Sequence, residues 1–356
     1  MDKILSEIFE KVKTDVPINN EDAKHLLTTK DILSLGKISS YIKTKLHQKN
    51  VYYSVNLNLN YTNICELRCP LCAYSCDKED KEGFVLSLDE IESRVREAVC
   101  SGIDEVHIVG GLNPNLKLDY FIEMLKKIKS IKKDIFIVAF TAVEYDFFSK
   151  LNNMPIEEVF QKLIDAGVNA LPGGGAEIFS KRVREHIAPL KISGEKWLSI
   201  MKTAHKIGLK TNATMLYNHI EDIDDIIDHL HKIRNIQDET DGFKTFVPLP
   251  FHSKNTKISS KKTLTTGYDD IRIFATSRIF LHNVPHIKVL WMYLGEKMAQ
   301  ILLNFGVDDF SGTYYNEKVV HAAGAKTPPS GSESNLIYLI KDLGLKPIKT
   351  NAGYTG

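Results

Sequence analysis

Residues 51–76 read VYYSVNLNLNYTNICELRCPLCAYSC. Side chains alternate over 51–61, which predicts a strand. Directly after it stand Cys65, Cys69 and Cys72, spaced Cys-x3-Cys-x2-Cys. Three thiolates from one short loop can meet one metal centre, and the loop offers no obvious fourth. A structural zinc site wants four protein ligands, usually as two separated Cys-x2-Cys pairs. Only one compact group exists here, so the spacing points to an iron–sulfur cluster instead. Four irons held by three thiolates leave one iron open to another ligand. Cys76 is read as a loop thiol rather than a fourth ligand. Cys100, in REAVCSGIDEV, is read as a small buried hydrophobe on an apolar helix face.

Working outward, strands and helices alternate. Residues 1–50 are predicted to be helical, with Ile4, Leu5, Ile8, Phe9 and Val12 forming one face. After the first strand, helical patterns over 86–102 and 118–133 flank a strand at 105–111, and 134–140 is a third strand. A helix from Pro155 to Gly167 has proline at its start and glycine at its end. NALPGGG is a short strand into a turn. Ser193 is an N-cap for a helix to Gly208, and further strands are expected at 209–217, 242–251, 286–293 and near Asp308 and Asp309. About eight strand–helix units without a compositional break favour a closed (β/α)8 barrel of the TIM type with an N-terminal helical extension. An open α/β sheet, doubly wound or a partial barrel, is the alternative. The expected division is 1–50 helical extension, 51–330 barrel, and 331–356 C-terminal helix and tail.

The 356 residues are 43% hydrophobic, enough for a large core, and the net charge of +1 predicts neither nucleic acid nor an anionic membrane surface as partner. The longest apolar runs are strand-sized, too short to span a bilayer. The five cysteines are odd in number and clustered, which argues against a disulfide framework. The N-terminal segment carries acids throughout and is not a signal peptide. These features predict a cytoplasmic chain.

The unusual residues fall at the ends of predicted strands, the face that carries active sites in barrels. Gly110 and Gly111 follow the second strand, as a tight turn or as bare backbone offered to an ammonium group. Glu144 follows the third with no acidic neighbour before it, placed to hold ribose hydroxyls. Gly173, Gly174 and Gly175 follow the fourth, as a turn or as a cup of N–H groups at a helix start. They are not a Gly-x-Gly-x-x-Gly fingerprint, because Ile178 holds the third glycine position. Asn212, Tyr217 and His219 lie on and after the fifth strand. His219, His252 and His286 are candidate anion contacts, and Glu177 and Glu221 read as solvated carboxylates.

At these residues the chain resembles a known family. The cysteine motif with Gly-Gly after the next strand is similar to the radical S-adenosylmethionine superfamily. HIVGGLNP, AFTAVE, LPGGGAEIF, NATMLYNHIE, QDETDGF, FVPLPFH and HIKVLW resemble its aminofutalosine synthase branch, over about residues 50–330. The resemblance implies a 4Fe–4S cluster on Cys65, Cys69 and Cys72. It also implies S-adenosylmethionine, consumed as co-substrate, near Tyr74, Gly110, Gly111, Glu144, Asn212 and Tyr217. It implies an electron donor of the flavodoxin or ferredoxin type. The implied substrate is a small aromatic dicarboxylate, 3-[(1-carboxyvinyl)oxy]benzoate, with the Gly173 to Gly175 turn, His219 and His252 as its contacts. The resemblance further implies that the adenosyl radical adds to the enol-ether double bond, with rearrangement and loss of carbon dioxide to 6-amino-6-deoxyfutalosine on the way to menaquinone. No residue is assigned an acid or base role. The chain departs from the pattern at Leu71, where an aromatic ring against adenine is usual, with Tyr74 as a compensating ring. It departs again at Asn113, Asn218 and Asp241, where His, Gly and Gly are expected.

Overall fold

Strand β1 (Asn50–Ser54) runs into β2 (Asn56–Leu59) with a break at Val55, so the single strand expected over 51–61 is two. The computed structural model describes residues 2–258, 265–315 and 317–355. The remaining strands are β3 (Glu105–Ile108), β4 (Phe136–Ala139), β5 (Ala170–Leu171), β6 (Lys210–Tyr217), β7 (Phe243–Pro250), β8 (His286–Ile287), β9 (Asp309–Gly312) and β10 (Lys346–Lys349). β2 to β8 form one seven-stranded parallel sheet in chain order, and β1 forms a second sheet between β10 and β9. Helices connect successive strands, as parallel pairing requires.

The segment around β9 is the eighth stave. On one side Asp308 N–H donates to the Ile287 carbonyl at 3.2 Å and Val289 N–H to that of Asp309 at 2.9 Å. On the other, Tyr52 N–H reaches the Asp308 carbonyl at 2.8 Å and Tyr315 N–H that of Asn56 at 3.1 Å. The curled sheet is thereby joined edge to edge, in an α/β barrel of the TIM type.

Local chemistry explains most boundaries. Ser87 and Glu90 form a capping box that starts the helix Leu88–Cys100, and Asp222 and Asp225 form another at Ile223–Thr240. Pro155 opens Ile156–Ala166, which ends at Gly167 with φ of 124°. The helices Lys3–Lys13, Asn20–Thr28 and Ile32–His47 bury Leu5, Ile8, Leu26, Leu35 and Ile38, the latter two helices lying against Ile223–Thr240 and Gly267–Phe280. Ile4, expected on the buried face, is 45% exposed.

Two further expectations are corrected. The strand expected over 286–293 stops at Ile287, and Trp291–Leu294 is a short helix whose Trp291 indole N–H donates to the Gly312 carbonyl at 2.9 Å. After the helix Glu333–Asp342 the chain forms β10, which sequence reading missed because KPIK has no apolar run. Pro347 is tolerated because β10 is an edge strand, paired only with β1. Residues 350–354 then pass under the N-terminal ends of the strands. Ala352 N–H donates to Glu105 Oε2 at 2.5 Å, and the Tyr354 ring stacks on His286 at 3.5 Å. Among the described residues no helix is long and apolar enough to cross a membrane.

Candidate active site

The cysteine loop leaves the C-terminal end of β2 and is pinned on both sides. Cys65 N–H donates to the Cys76 carbonyl at 3.2 Å, Glu66 N–H to that of Leu112 at 3.1 Å, and Leu71 N–H to that of Ile187 at 3.2 Å. Asn63 ties the loop to its returning limb, giving Nδ2 to the Glu82 carbonyl at 2.9 Å and accepting Phe84 N–H at 2.9 Å.

The glycines after β3 are required by close approach. A Cβ on Gly110 would stand 2.6 Å from the Tyr61 ring, and one on Gly111 only 2.2 Å from the Ile64 carbonyl oxygen. Glu144 holds this corner together. Its Oε1 accepts from Tyr61 Oη at 2.8 Å and from Gly110 N–H at 3.1 Å. Its Oε2 accepts Thr141 N–H at 2.7 Å and Thr141 Oγ1 at 2.8 Å. Burial raises the Glu144 pKa, with the Thr141 donors and Tyr61 acting against it. Four internal donors thus occupy the carboxylate that sequence reading offered to a ribose.

Cys65, Cys69, Cys72, Tyr74, Gly110, Gly111, Glu144 and Gly175 line one cavity of about 210 Å³. A second, of about 240 Å³, occupies the barrel interior and is lined in part by Gly173, Gly174, Asn212, His107, Lys288 and Tyr293. Asn60, Val109, Thr141 and Val319 border both, so the two adjoin. The glycine run after β5 does not start a helix; the next begins at Lys181. Its carbonyls are held instead, Gly173 by Thr214 Oγ1 at 2.7 Å, Gly174 by the Trp197 indole at 3.1 Å and Gly175 by Arg184 at 3.2 Å.

Other candidates lie elsewhere. Tyr217 donates to Asp270 at 2.7 Å, away from both cavities. His219 is fully buried, bonded to the Leu216 carbonyl at 2.9 Å and close to Glu221. His252 contacts the Tyr293 carbonyl at 3.0 Å, beside the second cavity rather than on its wall. His286 bonds Asp308 at 2.6 Å below the barrel. Glu177 and Glu221 are not solvated: Glu177 meets Lys191 at 2.5 Å and Glu221 accepts the N–H groups of Asn218 and His219. Cys76 is buried off the first cavity, and Cys100 is exposed, not the buried hydrophobe expected. Asn218 and Asp241 adopt φ of 70° and 46°, the left-handed region that Asn and Asp tolerate better than other side chains.

Lys191 is the cation sequence reading missed, because it sits in an irregular segment with no periodic signal. It lines the cysteine cavity. Burial works to lower its pKa, but Glu177 and then Cys69 outweigh this and leave it raised. Burial pushes the Cys69 thiol up to about 11, with Lys191 pulling the other way.

The donor set suits a cluster better than a single ion. Among the described residues the one set of three ligand atoms within 4.8 Å of one another is His47, His286 and Asp308. At least one pair of the three sulfurs is therefore more than 4.8 Å apart, wider than the roughly 3.8 Å set by Zn–S bonds of about 2.3 Å at a tetrahedral ion. The Tyr74 hydroxyl is buried with no hydrogen-bond partner among the described residues, so the cavity presents a polar group still to be matched.

Residues 59–233 match the family model of the radical SAM superfamily, and 240–355 that of the CofH/MqnC C-terminal region. The aminodeoxyfutalosine synthase of Thermus thermophilus is 37% identical, over 99% of this chain and 96% of the relative. The chain belongs to the radical SAM superfamily. Within the superfamily it is also 37% identical to the 5-amino-6-(D-ribitylamino)uracil–L-tyrosine 4-hydroxyphenyl transferase of Methanococcoides burtonii, over 94% of each chain. Among solved structures, methylornithine synthase superposes with a TM-score of 0.77 at 15% identity, covering 97% of this chain and 98% of that one. Superfamily membership implies a 4Fe–4S cluster and S-adenosylmethionine, and the residues lining the first cavity fit them.

Proposed function

We propose that the chain is an aminodeoxyfutalosine synthase of menaquinone biosynthesis. It would join the adenosyl group of S-adenosylmethionine to 3-[(1-carboxyvinyl)oxy]benzoate, with rearrangement and loss of carbon dioxide. The observation that carries this reading is the near full-length similarity to such a synthase, joined to a cysteine-lined cavity that opens on an interior one.

Cys65, Cys69 and Cys72 would hold the cluster, and Tyr74, Gly110 and Gly111 would border the co-substrate. Bound there, the cluster would supply one-electron reductive cleavage of S-adenosylmethionine, with a flavodoxin or ferredoxin as the electron source. The chain's own part is placement and exclusion of water. Glu144 fixes the Gly110 corner through its N–H and through Tyr61. Lys191, braced by Glu177, sets a buried positive charge beside the thiols. The interior cavity, with Asn212, Gly173 and Gly174 on its wall, receives the aromatic substrate. Tyr217 and His219 are assigned no contact, because they face away from both cavities.

Anaerobic turnover with S-adenosylmethionine and the enol-ether benzoate tests the reading. The expected product has the mass of 6-amino-6-deoxyfutalosine, without matching release of 5′-deoxyadenosine. Stoichiometric 5′-deoxyadenosine would point to hydrogen abstraction, as in a cyclase acting on dehypoxanthinyl futalosine. L-Tyrosine with 5-amino-6-(D-ribitylamino)uracil is the second arm, because the similarity to the hydroxyphenyl transferase is equal in identity. Product in that arm alone would overturn the proposal.

A further inference from the structure

Strand β3 presents alternate residues inward, so Glu105, His107 and Val109 descend the wall of the interior cavity. At about 3.3 Å per residue, His107 lies roughly 7 Å below Val109 and roughly 13 Å below Gly111, which abuts the cysteine loop. Neither nitrogen of the half-buried His107 ring has a hydrogen-bond partner among the described residues. Lys288 reaches the same deep end and is the one lysine or arginine among the residues lining this cavity.

The ammonium of Lys288 is held from below. It lies 3.2 Å from Asp309 Oδ2, and that carboxylate is itself fixed by Ser311 N–H at 2.7 Å and Tyr354 Oη at 2.5 Å. Glu105, also at the floor, accepts Ala352 N–H. Both acids thus have protein donors of their own, and Lys288 keeps ammonium donors for the cavity. Val109, Val138, Val247, Leu249 and Leu290 give the cavity apolar wall, and Asn212, Thr214 and Glu317 line it too. A floor with a lysine, valine and leucine side chains along the wall and a mouth beside the thiols match a planar ring that carries a carboxylate on one side and the reacting double bond on the other.

We infer that Lys288 and His107 anchor the ring carboxylate of the substrate at the floor of the barrel, so that the enol ether points up toward the cysteine cavity. This rests on the function proposed above. Lys288 is a binding residue, and His107, neutral because burial and Lys288 push its pKa down to about 4, donates one hydrogen bond.

The test measures equilibrium binding to the reconstituted but unreduced protein, where no turnover occurs. The probes are 3-[(1-carboxyvinyl)oxy]benzoate and the phenyl analogue that lacks the ring carboxylate. Lys288→Met should weaken the dicarboxylate by about 10- to 100-fold and leave the analogue unchanged. Lys288→Arg should restore most of the loss, and His107→Phe should reproduce part of it. Dicarboxylate affinity unchanged in both Lys288→Met and His107→Phe overturns the anchor, as does an equal loss for both ligands. A wild-type protein that binds or converts neither ligand sinks the functional reading itself, which separates the two failures.

Discussion

Alanine at Gly111 probes the contact between the glycine turn and the cysteine loop. Its Cβ would stand 2.2 Å from the Ile64 carbonyl oxygen, 2.7 Å from its carbonyl carbon and 3.1 Å from Cys65 Cβ. Relaxed contacts lie near 3.5 Å, so one backbone or the other has to retreat by about 1 Å. Gly111 N–H also donates to the Thr62 carbonyl at 3.0 Å, and Glu66 N–H to Leu112, so the two segments cannot part without losing ladder bonds. Overpacking of this kind costs about 1–3 kcal/mol, equivalent to a melting temperature lower by about 2–6 °C. A shift of about 1 Å in a positioning element lowers turnover by on the order of 100-fold. The assay is iron and acid-labile sulfide per chain after anaerobic reconstitution, beside a thermal melt. Gly111→Ala should retain less than half of the wild-type iron. Gly102→Ala is the control, because Gly102 has φ of 87° but nothing within 4 Å of its added Cβ; it should lose stability through strain and keep its iron. The reasoning is refuted if Gly111→Ala carries a full complement of iron and melts with the wild type.

Cys65→Ala, Cys69→Ala and Cys72→Ala should each abolish iron retention and adenosyl transfer, whereas Cys76→Ala and Cys100→Ala should keep both; iron analysis decides. Tyr74→Phe removes a buried hydroxyl without a partner among the described residues, so the cofactor-free protein should melt no lower, while its affinity for S-adenosylmethionine falls; a clear drop in cofactor-free stability would contradict this. Arg278 is fully buried and meets Asp308 and the carbonyls of Gly306 and Pro285. Arg278→Met should cost about 3–5 kcal/mol by stranding the Asp308 charge, and an unchanged urea midpoint would refute it. Burial holds His205 down to about 4 and His229 to about 3. Unfolded, both take up protons below about 6.5, so their contribution is complete above that pH and is lost as pH falls toward 4, by up to about 3 kcal/mol each. Urea midpoints measured between about pH 7 and about pH 5 should show the decline; a flat profile there would count against it.

Strands that are buried on both faces announce themselves as apolar runs, and helix ends announce themselves through caps. That is why β7 and the helix opening at Ser193 were legible, and β6 was legible through its alternating burial. β10 was not, because an exposed edge strand needs no apolar pattern. The first cavity could be anticipated from Cys65, Gly111 and Glu144, since each follows a strand end. What Glu144 does there could not, because its four donors come from Tyr61, Gly110 and Thr141. Tyr217 and His219 misled because proximity to a strand end does not say which way a side chain turns. Lys288 carried a readable signal, a lysine inside HIKVLW, whereas Lys191 carried none.

β1 has consequences for the order in which the molecule is completed. Its two neighbours are β9 and β10, and β10 leaves the ribosome roughly 300 residues after β1, about 15–60 s later at about 5–20 residues per second. Throughout that interval β1, which runs into the strand that carries the loop of Cys65, Cys69 and Cys72, lacks its β10 neighbour, and the floor supplied by Ala352 and Tyr354 does not exist. Until then the barrel beneath the thiol loop is open at its lower end. The floor of the chamber is therefore in place only once β10 has locked β1.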